Sequence, residues 1–110
     1  MGTPELTDDG SVVTLDLHGA TVDEALDLTY RTLRLAEDRG RTRLKLIHGS
    51  STTVAGNRRT IKRALYDELE GGGLGRRASN VLKRQDVLVL ALGLTTSSDS
   101  TPIRLRDVQR

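Results

Sequence analysis

The chain has no cysteine, no tryptophan and no phenylalanine, and its aromatic content is limited to Tyr30 and Tyr66. Lack of cysteine excludes disulfide staples and thiolate metal sites. Lack of Trp and Phe excludes the aromatic stacking platform of an RNA-recognition motif or a cold-shock domain. No apolar run reaches the ~18 residues that a membrane-spanning helix requires. Residues 1–10 are polar and acidic and carry no signal-peptide core. The expectation is a soluble, cytoplasmic protein with no membrane partner. At 110 residues the chain has room for one domain, and a chain of this size buries roughly two-thirds of its unfolded surface without needing staples.

What is present is charge, unevenly placed. Residues 1–40 hold 3 basic and 9 acidic side chains, whereas residues 41–110 hold 14 basic and 6 acidic ones. A cationic second half suits an anionic partner, of which nucleic acid is the commonest. With so few aromatics, such binding would rest on phosphate and shape. The competing reading is an arginine-rich but ordinary solvated surface.

Hydrophobic periodicity divides the chain into a flexible lead at 1–10, a folded domain at 11–94 and a polar, basic tail at 95–110. Val12 to Leu17 reads as a strand. Thr21 then caps a helix, with Glu24 completing a capping box. Val22, Ala25, Leu26, Thr29, Leu33 and Ala36 recur at helical spacing until Gly40. Leu44 to Ile47 reads as a second strand. After the polar stretch Gly49 to Gly56, a second helix is expected from about Asn57 to Glu70, ended by Gly71-Gly72-Gly73. A weak strand over Ala78 to Lys83 and a fully apolar one over Asp86 to Leu92 follow, the latter internal to a sheet. Ile103 to Val108 is expected either to add a short edge strand or to stay disordered. The order β-α-β-α-β-β predicts an α/β fold, a two-layer sandwich with both helices on one face of the sheet and the other face open.

Two strand ends carry the chemistry. Leu15-Asp16-Leu17-His18-Gly19 and Leu44-Lys45-Leu46-Ile47-His48-Gly49 each close a strand with histidine and glycine, and they contain both histidines of the chain. Alternation puts Leu15 and Leu17 on the face opposite Asp16 and His18. His48 shares parity with Leu44 and Leu46, which places it with the core-facing set.

These residues resemble the Smr (small MutS-related) domain family. Leu15 to Gly19 with Glu24-Ala25 resembles its first motif, and Gly40 followed by Ile47-His48-Gly49 resembles its second. Arg58, ahead of Ile61, resembles the arginine that opens the family's second helix. The family's His-Gly-x-Gly reads here as His48-Gly49-Ser50-Ser51, and the glycines at 71–75 come earlier than the family's late cluster. The resemblance implies a fold like the C-terminal domain of translation initiation factor 3. It also implies endonuclease activity, nicking DNA or cleaving RNA, in some members on the ribosome.

Phosphodiester cleavage needs an activated nucleophile, charge stabilisation and a proton for the leaving oxygen. Asp16 could orient a histidine, accept a proton or hold a divalent cation such as Mg²⁺. His18 could act as general acid or base, and His48 could supply the second role or bind phosphate. The amides of Gly49, Ser50 and Ser51 could form an anion nest, with Arg58, Arg59, Lys62 and Arg63 neutralising phosphates. Each has a structural alternative: Asp16 as the cap of its loop, His18 as a turn residue, His48 as a core side chain, the cations as a solvated helix face. Two further motifs fail. Gly49 to Gly56 has P-loop-like spacing, but Asn57-Arg58 stands where Lys-Ser/Thr is required, and nothing defines a zinc site. The leading expectation is therefore an endonuclease acting on RNA or DNA. A non-catalytic nucleic-acid- or ribosome-binding module is the rival, and the oligomeric state is left open.

Overall fold

Alternation of apolar and polar residues in five short segments generates one sheet, and two amphipathic helices close over one of its faces. The computed structural model describes residues 4–49, 60–93 and 101–108. Its elements are β1 (Glu5–Asp8), β2 (Val12–Asp16), α1 (Val22–Asp38), β3 (Arg43–Ile47), α2 (Ile61–Gly71), α3 (Gly73–Arg77), β4 (Ala78–Lys83), β5 (Val87–Leu92) and α4 (Leu105–Val108). The strands lie in the order β1-β2-β3-β5-β4. β2 and β3 pair in parallel. β5 runs antiparallel to both β3 and β4, so β4 points the same way as β3.

Val13, Leu15, Leu44, Leu46, Leu88 and Leu90 project from one face of the sheet and are fully buried. They form a single core with Ala25, Leu33 and Ala36 of α1, Leu65 of α2, Leu74 of α3 and Val108 of α4. Residues of opposite parity, among them Val12, Lys45, Val87 and Val89, are only half-buried. No described helix is long and apolar enough to cross a membrane.

The expected capping box of α1 is present: Thr21 Oγ1 accepts the N–H of Glu24, and the Glu24 carboxylate accepts the N–H of Thr21. The helices are tied to each other by polar contacts. The Tyr30 hydroxyl of α1 donates to Glu68 of α2, and Arg77 pairs with Glu37.

Three expectations are corrected. The lead at 1–10 contains β1, in which Leu6 pairs with Leu15 and packs against the core; four residues are too few for alternation to be read. The second helix begins at Ile61, because Thr60 Oγ1 accepts the N–H of Arg63 and caps it there. The glycines at 71–73 do end the second helix, which stops at Gly71 with Gly72 as its C-cap, and the short α3 then follows with Leu74 buried. The segment from Ile103 to Val108 turns into α4 and makes no edge strand. Asp107 closes that turn by accepting the N–H of Arg104, while Ile103 and Val108 are buried.

Candidate active site at the ends of two parallel strands

Because β2 and β3 are parallel, with Asp16 beside Ile47, their carboxyl ends lie side by side. The N–H of Leu17 extends the ladder by donating to Ile47 O at 2.9 Å. The loops that begin with His18 and His48 therefore leave the sheet next to each other, at the edge where open α/β sheets place ligands. Gly19 and Gly49 both adopt φ +87°, a left-handed conformation that a side chain would strain. The glycine after each histidine is thus required by the turn.

Asp16 is half-buried on the same parity as Val12 and Thr14, away from the helices. Its Oδ1 accepts the backbone N–H of His18 at 2.9 Å, an Asx turn. The structure thus brings Asp16 and His18 together through the main chain of His18, whose ring is exposed. Among the described residues the other Asp16 oxygen has no hydrogen-bond donor.

His48 is placed differently. Its N–H and that of Gly49 both donate to Asp86 O in the β4–β5 turn, at 3.0 and 3.2 Å. The ring lies half-buried, edge-on to Tyr66 of α2, with centroids 6.1 Å apart and planes at 89°. Its Nδ1 meets Gly49 O; a carbonyl only accepts, so the proton is assigned to Nδ1. Nε2 is then an acceptor, buried and without a partner among the described residues. Burial pushes the imidazole below its ordinary pKa and the Lys62 charge adds to this, against the opposing effects of Gly49 O and Asp86. His48 is therefore neutral at pH 7.

Of the expected phosphate contacts, Ser50, Ser51, Arg58 and Arg59 lie outside the described residues. The ammonium of Lys62 donates to Gln85 O at 3.1 Å and lies 5.9 Å from the Tyr66 ring centroid. Arg63 is turned along its own helix toward Asp67, at 3.6 Å. Among the described residues no group of three or more His, Asp or Glu could hold a metal ion. Asp16 by itself offers one carboxylate to a cation such as Mg²⁺.

Sequence reasoning missed Tyr66 and Asp86 as neighbours of His48. Lys83 places its ammonium 5.0 Å from the Tyr66 ring centroid, a cation–π distance. The i,i+4 spacing of Lys62 and Tyr66 was a usable signal, but the β4–β5 turn reaches the site only through tertiary pairing.

A model of the Smr domain family matches residues 15–91. No curated protein and no solved structure gives a significant match.

Proposed function

The chain belongs to the Smr domain family, one associated with nucleic-acid binding and nuclease activity, and on that premise we propose that it is an endonuclease that cleaves phosphodiester bonds. RNA, including RNA on the ribosome, and DNA are its candidate substrates. The observation that supports this most is the joining of Asp16 to His18 at a solvent-facing strand end beside the end of β3. In this reading the exposed His18 imidazole takes the proton of the attacking water or ribose hydroxyl. The imidazolium that results returns this proton to the leaving oxygen, and Asp16, by accepting the His18 N–H, holds the turn that presents the ring. Neutral His48, with Nδ1 committed to Gly49 O, is a positioning residue that shapes the loop after β3. The amides of Gly49, Ser50 and Ser51, with Arg58, Arg59, Lys62 and Arg63, then hold the phosphates on either side of the cut.

A second reading, a non-catalytic nucleic-acid-binding module, is favoured by one observation: an Asx turn gives Asp16 a purely structural task. Incubation of the protein with labelled RNA and DNA hairpins, with and without chelator, separates the two. Cleavage that disappears in His18→Ala while hairpin binding persists supports the enzyme. Binding without cleavage by the unsubstituted protein supports the module.

A further inference from the structure

The helix-free face of the sheet is not featureless. A groove of about 690 Å³ crosses it, floored by Val87, Val89 and Ala91 of β5 and by Leu82 of β4. Leu82 is 48% exposed and is the large apolar side chain that stands out on the described surface. Arg43 and Lys45 of β3 and Arg84 of the β4–β5 turn line the same groove, with Asp86 as its acid. Among the described residues none of these three cations is paired with a carboxylate.

Register fixes how the groove runs. Ile47 lies beside Val87, Lys45 beside Val89 and Arg43 beside Ala91, so it starts at the strand ends that carry Asp16 and His48 and leads away from them. Lys45 and Arg43 share a face two residues apart, roughly 6.6 Å along the strand, comparable to the step between successive phosphates of an extended chain. Arg84 stands at the near end, in the turn whose Asp86 carbonyl holds the His48 and Gly49 amides.

We propose that this groove holds the single-stranded nucleic acid flanking the scissile phosphate, an inference that rests on the cleavage site proposed above. The backbone follows Arg84, Lys45 and Arg43, and the unpaired bases lie on the aliphatic floor. A duplex offers a protein surface charged backbone and polar groove edges, which an aliphatic floor does not match. Unpaired bases expose apolar faces that it does match. The groove's volume falls in the range of about 300–1,000 Å³ typical of small-ligand sites, room for a short stretch of chain. A second copy docked by two-fold symmetry would bring like cations together, which disfavours that occupant.

The test compares hairpins with and without a short single-stranded tail, in RNA and in DNA, by fluorescence anisotropy across a salt series. The tail should tighten binding by the intact protein. The double substitution R43A/K45A should weaken binding of the tailed hairpin about tenfold and leave the blunt hairpin unchanged. Its salt slope should flatten by about 1.4, from two lost phosphate contacts on a single strand. R43K/K45R should restore both, and thermal unfolding should show each variant folded. Comparison of the RNA and DNA tails shows which sugar the groove takes. Unchanged tail affinity in R43A/K45A overturns the proposal, as does a substitution effect seen only on self-association without nucleic acid. The readout needs no turnover. An inactive protein with tail-dependent binding removes the nuclease and keeps the groove, whereas an active one indifferent to R43A/K45A does the reverse.

Discussion

The carboxylate of Asp16 holds the main chain of His18, Oδ1 to N at 2.9 Å, so one residue shapes the turn that presents the other. Turn and chemistry can be separated by substitution. Asp16→Asn keeps an oxygen that can accept the same N–H and should unfold within a few tenths of a kcal/mol of the parent. Asp16→Ala loses the bond and should cost about 1 kcal/mol. Both should lose cleavage, by a factor of about 10² or more. Urea unfolding alongside a cleavage assay checks the pair.

A second acid closes the fold from the other end of the sheet. Asp8 and Arg41 form a two-pronged ion pair, Nε–Oδ1 at 2.8 Å and Nη2–Oδ2 at 3.0 Å, with both side chains essentially inaccessible. Asp8 Oδ2 also accepts the N–H of Ile103 at 2.7 Å, and Arg41 donates to Thr101 O at 2.9 Å. The pair thereby anchors the C-terminal segment to β1. Asp8→Ala leaves a buried guanidinium without its carboxylate and should cost about 3–5 kcal/mol. Burial alone would raise the Asp8 pKa, but Arg41 and the amides of Ile103 and Gly10 outweigh it and hold the carboxyl below the ordinary range. A carboxyl with a depressed folded pKa contributes stability that is complete above its unfolded pKa and lost as pH falls through the folded one. Denaturant unfolding from neutral to strongly acidic pH should show this loss in the parent, and Asp8→Asn should flatten it.

Such clamps explain what could and could not be read beforehand. The strands over Val12 to Leu17 and Leu44 to Ile47, the Thr21 cap and both strand-end histidines are legible because the information is local: parity, capping chemistry and a glycine at a left-handed turn. The parity argument also placed His48 on the core side, where it meets Tyr66. β1 and α4 were illegible because both are short and are held in place by distant partners. Asp8 needs Arg41, and Ile103 needs Asp8. The groove on the uncovered face depends on β5 inserting between β3 and β4, which no spacing in the chain announces.

His48 should titrate below the ordinary imidazole value of about 6.5, since burial and the Lys62 charge disfavour its cation. Its stabilising contribution is then complete above the unfolded pKa and is lost as pH falls through the lower folded value. An NMR titration of the two imidazole Cε1 protons measures His48 directly. A midpoint at or above the ordinary value would contradict the buried, Nδ1-protonated ring.

Thr29 and Thr32 of α1 are fully buried, and their hydroxyls have no hydrogen-bond partner among the described residues. Exchanging such a hydroxyl for a methyl removes a desolvated polar group at nearly constant volume. Thr29→Val should stabilise the protein by about 1 kcal/mol, read as a rise in thermal midpoint of about 4–8 °C for a domain of this size. A fall in the midpoint would show that the hydroxyl has a role in the core.

The most direct measurement is cleavage of end-labelled RNA and DNA hairpins by purified protein, compared between the parent, Asp16→Asn and His18→Ala at matched binding. The account predicts strand scission by the parent, with both substituted proteins slower by a factor of about 10² or more while their hairpin affinity is unchanged. Scission that survives unaltered in His18→Ala would contradict it.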